Sequence, residues 1–326
     1  MSAATSNRIP RYFHFVYGLR RQTEPFHLVH YLCLESCLRV NQPERLIFHY
    51  HHEPWGEYWD LIRDRLQLVR VSRPRFLKGY RYSDRRVEKY RYAHEADFVR
   101  LDALIEHGGV YADIDTLFVN PIPEALFHAP FVLGREDDVQ DQVTGQVRPS
   151  LCNAFIMSQP GAEFGRLWRD KLEKEFDGSW SRHSTLLPSD LAGERPELIH
   201  VEPSHTTYPF MWTREELRRL LEGCEEVDAG VASIHLWAHL WWAEQRRDFS
   251  DFHAGLMTEQ NIRTVATTFN LIARRFLPAA PRSVAPSRRL WYLAVGTWAR
   301  AGSLGARIAR RIRREWESLF KPGAGP

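Results

Sequence analysis

Apolar positions along this chain follow two rhythms, short continuous runs and a beat of three to four residues, and the two alternate. Ile9–Tyr17 (IPRYFHFVY) is an apolar and aromatic run and predicts a first strand. Leu28, Tyr31, Leu32 and Leu38 then fall at helical spacing within Phe26–Val40. Arg45–Tyr50 predicts a second strand, Trp55–Leu66 a helix and Leu68–Val71 a third strand. Arg73–Arg86 is basic and aromatic without a period and reads as a loop. Val87–His107 is a long helix stopped by Gly108-Gly109. Val110–Val119 holds short strands around an acidic turn, closed by Pro121 and Pro123.

Beyond that point Asp137–Pro149 is polar and predicts an exposed loop. Leu151–Ser158, Leu198–Val201 and Val231–Trp237 read as strands, and Ala162–Phe176, Thr213–Leu221 and Thr258–Phe276 as helices. Thr213 and Glu216 have capping-box spacing. Strands alternating with helices in this way predict an α/β fold with a largely parallel sheet. No internal repeat is visible.

The rhythm changes near the end. Residues 278–288 (PAAPRSVAPSR) read as a linker, which divides the chain into a body (1–277), the linker and a tail (289–326). In the tail Leu290, Ala294, Trp298, Ala301, Leu304, Ile308, Ile312, Trp316 and Leu319 recur every three or four residues, with arginines between them. That is a basic amphipathic helix or helix pair, expected to break near Gly302–Gly305. From Arg274 onward there are twelve basic residues and two acids, a charge of +10, so a whole-chain charge of +3 leaves −7 on the rest. An acidic body argues against a nucleic-acid-binding core, whereas the tail suits an anionic membrane surface.

Composition narrows the class further. At 44% hydrophobic and 26% charged the chain is globular rather than disordered. No run approaches the ~18 apolar residues of a spanning helix. The first fifteen residues lack the apolar core of a secretory signal, so a cytoplasmic protein, peripheral at the inner face of the cell membrane, is expected. Cys33, Cys37, Cys152 and Cys224 form no CxxC pair and are expected as buried thiols.

The most informative stretch is GGVYADIDTL, residues 108–117. Asp113 and Asp115, one residue apart at the end of an apolar strand, can both reach one hard cation. Such a cation offsets the charge of a nucleoside diphosphate and of the diphosphate as it leaves. In the helix before it, Asp97 and Arg100 share a side with Ala93, Leu101, Leu104 and Ile105. Charges on an apolar stripe must pair or face a cavity. Asp97 and Arg100 therefore form either a mutual buried pair or the wall of a polar pocket behind the acidic turn.

The run AHEADFVRLDALIEHGGVYADIDTLF resembles the signature of the DXD sugar transferases of glycosyltransferase family 32. IPRYFHFVYG (residues 9–18) is similar to the family's first strand, Asn153-Ala154-Phe155-Ile156 to its N-x-F-M strand, Tyr208-Pro209 to its F-Y-P element, and His235–Trp241 to its H-x-W-x-x-S-W ending. The resemblance spans residues 9–242 and leaves out the tail. It implies a GT-A nucleotide-diphospho-sugar transferase fold, with a Rossmann-like, mixed and mostly parallel sheet followed by a C-terminal helical extension. It further implies Mn²⁺ or Mg²⁺, a UDP-hexose or GDP-mannose donor, a glycan or lipid-linked saccharide acceptor, and transfer with retention.

By motif match, Asp115 and Asp113 would hold the metal, Asp113 also reaching the ribose. Asp97 and Arg100 would hold the donor sugar, and Asn153 would line the donor or acceptor side. Tyr17 would meet the base, and Trp241 would donate its indole N–H to a phosphate. His235 would complete the metal site, but Leu240 replaces the family's serine and His239 lies one position earlier, so the third ligand stays open between His235 and His239. Two alternatives accompany this reading: a binding protein with an inactive site, and a haloacid-dehalogenase-type phosphatase with Asp113 as nucleophile.

Overall fold

The computed structural model describes residues 8–141, 144–243, 251–279 and 285–319, with backbone only at 86, 303, 304 and from 306 onward. Among the described residues there are nine strands: β1 (Tyr12–Val16), β2 (Arg45–Tyr50), β3 (Gln67–Arg70), β4 (Gly109–Ala112), β5 (Thr116–Phe118), β6 (Phe131–Gln140), β7 (Val147–Ser158), β8 (His200–Glu202) and β9 (Ser233–His235). Seven form one sheet in the order β3-β2-β1-β4-β7-β6-β8, and β5 pairs with β9 in a separate ribbon. Pairings β1–β2, β2–β3, β1–β4 and β6–β8 are parallel, and β7 alone runs against its neighbours. The carboxyl ends of β1 to β4 therefore emerge on one side of the sheet.

Alternation along β1 shows how the sheet is covered on both faces, as parallel strands require. Phe13 and Phe15 join the core beneath the Leu28–Asn41 helix, while Val16 joins the core beneath the Arg91–His107 helix. Tyr111 of β4 lies on the second face and Val110 and Ala112 on the first. The double glycine that stops the second helix has a further purpose. At Gly109 φ is +113°, and a Cβ there would lie 2.3 Å from the Tyr12 carbonyl oxygen, so only glycine lets β4 enter beside β1.

Four expectations are corrected. The polar stretch 137–149 is mostly the end of the β6–β7 hairpin, whose pairing shifts register between Glu136 and Val139. Acidic residues hid that strand, although Glu136 itself is buried. The single helix expected over 258–276 is split into Glu259–Thr264 and Thr268–Ala273. Thr258 and Thr267 divide it, each accepting at its hydroxyl a backbone N–H three residues on, from Asn261 and Asn270, both at 3.1 Å. The last helix, Pro286–Leu319, runs unbroken through Gly302–Gly305 and begins inside the span read as linker, of which 280–284 lie outside the described residues. Of the cysteines, Cys33, Cys37 and Cys152 are buried thiols, as expected, but Cys224 is exposed.

Candidate active site

The acidic turn sits where β4 ends. The Asp113 N–H donates to the Ala154 carbonyl of β7, which ties the turn to the sheet, and the Asp113 carbonyl accepts the Thr116 N–H, which closes the turn on itself. Thr116 opens β5, which pairs antiparallel with β9, and in that register Thr116 lies opposite His235. The ribbon thus carries a histidine from more than a hundred residues away onto the two acids. His235 Nε2 is 3.3 Å from Asp115 and 3.8 Å from Asp113. One ligand atom from each of the three residues lies within 4.8 Å of the others.

The chain then turns sharply. Trp237 has φ +50°, a left-handed conformation that is costly for a bulky residue, and its indole N–H donates to the Phe210 carbonyl. This turn directs the Ala238 N–H onto Asp115 at 2.8 Å. Burial disfavours the Asp115 charge, but His235 and the Ala238 N–H outweigh it and hold the carboxyl well below the usual aspartate range. Burial dominates at Asp113, raising its pKa against the opposing pull of Arg100 and His235. The imidazole of His235 responds in kind: its burial disfavours a proton, while the neighbouring acids raise its pKa above the ordinary value. Two hard oxygen donors and one imidazole fit Mn²⁺ or Mg²⁺.

Behind the turn lies the Arg91–His107 helix. Arg100 is 4% exposed, and one of its terminal nitrogens reaches Asp97 at 3.1 Å and Asp113 at 3.4 Å. Its other terminal nitrogen donates to the Asn153 carbonyl at 2.6 Å. Asn153 in turn donates its amide to Asp97 at 2.8 Å. Burial opposes the Asp97 charge, yet Arg100 and His183 bring its pKa below the ordinary value. The pair anticipated from helical spacing is therefore mutual, and it also continues into the acidic turn.

The other sequence-derived candidates divide. Tyr17 stands at the end of β1, half-buried against Phe26 and His30 at ring distances of 5.4 and 4.8 Å. His239 is not one of the three residues whose ligand atoms converge; its ring lies against Trp180 and Tyr90, near enough to Asp115 for its charge to favour that carboxylate. Trp241 does not fit the role suggested for it: it is fully buried, and its indole N–H is already donated to the Leu236 carbonyl at 2.6 Å. The cause is the single-turn helix Ala238–Trp241, which points this ring inward against Phe252.

Two contributors were not anticipated. His183 Nε2 lies 2.9 Å from the second oxygen of Asp97, so that carboxylate is held on both sides. This residue comes from a π-helical turn, Arg182–Leu186, which leaves no periodic signal in a sequence. Tyr111 donates its hydroxyl to Asp113, and alternation along β4 could have shown that it faces the helix carrying Arg100, whose guanidinium lies 4.4 Å from its ring.

Residues 33–132 match the family described as glycosyltransferase sugar-binding region containing DXD motif. Glucan organizing enzyme 1 of Cryptococcus neoformans var. grubii serotype A (strain H99) is 31% identical over 278 residues, which is 82% of this chain and 71% of that protein. The chain belongs to the DXD glycosyltransferases. The phosphatase alternative is thereby set aside, and the mixed, mostly parallel sheet with its helical C-terminal region agrees with the GT-A expectation. Solved structures are more distant. An active-site mutant of LgtC is 15% identical with a TM-score of 0.45, covering 85% of this chain and 99% of its own. PaToxG glycosyltransferase is 14% identical with a TM-score of 0.42, covering 58% and 70%.

Proposed function

We propose that this glycosyltransferase is metal-dependent and moves a hexosyl group, with retention, from a UDP-hexose or GDP-mannose to a glycan or lipid-linked saccharide. The observation that carries the proposal is the convergence of Asp113, Asp115 and His235 beside the buried Asp97–Arg100 pair. A Mn²⁺ or Mg²⁺ ion held by the first three would neutralise the donor's diphosphate and the charge developing as it leaves. Arg100, already oriented by the Asn153 carbonyl, supplies a fixed positive charge next to that group. Asp97, held by Asn153 and His183, is positioned to accept hydrogen bonds from sugar hydroxyls. In transfer with retention by front-face attack, the departing diphosphate takes the acceptor's proton. The protein then supplies position and electrostatics, and no side chain is assigned as general base.

The same proposal places the enzyme in the cytoplasm, peripheral to the inner face of the membrane, because the tail is strongly basic. The deciding experiment is a panel of nucleotide sugars with Mn²⁺, scored for donor hydrolysis, with and without EDTA. Hydrolysis of one donor, lost with EDTA and in Asp115→Ala or Asp113→Ala, is expected. Donor binding without turnover would favour the inactive binding protein, and full activity in either variant would refute the metal assignment.

A further inference from the structure

The Pro286–Leu319 helix has two opposed sides over its first four turns. Tyr292 and Arg288 bond to Asp60, a Cβ on Gly296 would lie 2.9 Å from the Trp55 ring, and Ala299 is buried. At about 100° per residue these positions face the body. Leu290, Leu293 and Trp298 fall on the opposite arc and are 67%, 63% and 64% exposed. Trp291 beside them is also exposed. Leu290 and Trp298, two members of the apolar stripe visible in the sequence, are therefore mostly exposed rather than buried against the body.

Under the same helix, at the carboxyl ends of β2 and β3, lies a cleft of about 350 Å³. Arg21, His51, His52 and Arg70 line it, with Trp298 at its helical wall. Its one acid, Glu53, is engaged by Arg63 at 2.7 Å. Among the described residues no carboxylate lies within ion-pair distance of Arg21 or Arg70, and Arg21 rests on the Trp298 ring at 4.4 Å. Two guanidiniums without a counter-ion, bordered by an exposed apolar helix, match an anion held at an oil–water boundary. No described helix is long and apolar enough to cross a membrane, so the helix would lie along such a boundary. The loop that supplies Arg21 also leads toward the site. Its neighbour Arg20 lies over Tyr92, which belongs to the same helix as Asp97 and Arg100, at 4.2 Å.

We infer that this cleft binds the phosphate of an anionic lipid headgroup while the Leu290–Leu293–Trp298 face enters the surrounding interface, so that the enzyme meets its acceptor on a lipid surface. The use made of the site rests on the transferase reading above, whereas the binding itself does not.

The test is co-sedimentation of the full chain with vesicles of phosphatidylcholine, alone or with phosphatidylglycerol. Binding should require phosphatidylglycerol. Arg21→Gln/Arg70→Gln should lower partitioning about thirtyfold, the loss expected of two arginines at a charged surface. A control of equal charge, Arg195→Gln/Arg218→Gln, should lower it less than about twofold. Leu290→Ser/Leu293→Ser should also release the protein, with an unchanged far-ultraviolet spectrum. Equal losses in the two arginine pairs, or binding that ignores the leucines, would overturn the inference, since charge alone would then explain it. Weakened binding of UDP or GDP with Mn²⁺ in Arg21→Gln/Arg70→Gln would overturn it too, by making the cleft part of the donor site. Failure of donor hydrolysis in every variant would count against the transferase reading and leave the vesicle result standing.

Discussion

Replacing Arg100 by Met tests the electrostatic frame of the site more directly than any change at the acids. One buried guanidinium faces two carboxylates, at 3.1 Å from Asp97 and 3.4 Å from Asp113, and also satisfies the Asn153 carbonyl. Methionine keeps most of the side chain's volume and removes the charge, leaving the buried Asp97 and the half-buried Asp113 without the cation they share. Removing one partner of a buried ion pair costs about 3–5 kcal/mol, against a typical total stability of about 5–15 kcal/mol. Arg100→Met should therefore lose that much in urea unfolding near pH 7.5 with EDTA present. Adding Asp97→Asn removes the more deeply held acid while keeping its bond from the Asn153 amide. The double variant should recover about 1–3 kcal/mol of the loss. A second readout separates charge from packing. Burial already raises the Asp113 pKa and Arg100 opposes it, so Arg100→Met should move the acid limb of any residual donor hydrolysis to higher pH. A single variant costing under about 1 kcal/mol, or a double variant whose losses simply add, would refute the claim that Arg100 balances both acids.

The remaining predictions concern the metal ligand, acid stability and the double glycine. His235→Gln should weaken Mn²⁺ binding, measured by calorimetry, at least about tenfold, whereas His239→Gln should change it little; the reverse order would transfer the ligand role to His239. Burial lowers the pKa of His14 to about 4 and those of His30 and His49 to about 3. Because the folded state then binds protons more weakly than the unfolded chain, their stabilisation is complete above the unfolded histidine value near 6.5 and is lost as pH falls toward about 4 for His14 and about 3 for His30 and His49. At pH 5 each should cost about 2 kcal/mol, so a urea midpoint unchanged between pH 7.5 and pH 5 would contradict their neutral burial. Gly109→Ala should cost at least about 2 kcal/mol because of its backbone angle and the Tyr12 carbonyl, while Gly193→Ala, which meets no atom within 4 Å, should be neutral or mildly stabilising.

Legibility in the sequence followed the range of the interactions. Arg45–Tyr50 has the predicted bounds, and Thr213 caps its helix by accepting the Glu216 N–H, because both depend on neighbours a few residues away. The Asp97–Arg100 pair was legible for the same reason, one turn of helix apart. His183 was not, since its reach to Asp97 spans 86 positions and starts from a π-helical turn. Leu151–Ser158 of β7 was legible, but the rest of the β6–β7 hairpin was not: Glu136 is a buried acid in a strand, bonded to Ser150 across the pair, and acids follow it. A polar residue at a core position looks like a loop until its partner is known.

The choice between His235 and His239 shows where local reasoning stops and what decides instead. The motif departs from the family at Leu240, with His239 one position earlier, so the sequence left either histidine able to complete the acids' cluster. The chain between them is not helical. His235 ends a strand, Trp237 takes a left-handed turn, and only then does the single-turn helix that includes His239 begin. A strand followed by that turn sends the two imidazoles to different neighbours: His235 to the acids through the Thr116 register, and His239 to Trp180. The strain at Trp237 also aims the Ala238 N–H at Asp115, so one backbone distortion both separates the histidines and fixes the acid's charge. Glycine at position 237 adopts the left-handed turn without strain but removes the indole bond to Phe210 that anchors it, and so would loosen both effects together. Trp237→Gly should therefore weaken Mn²⁺ binding without touching a ligand. An affinity equal to the parent's would mean that the β5–β9 ribbon alone positions the site.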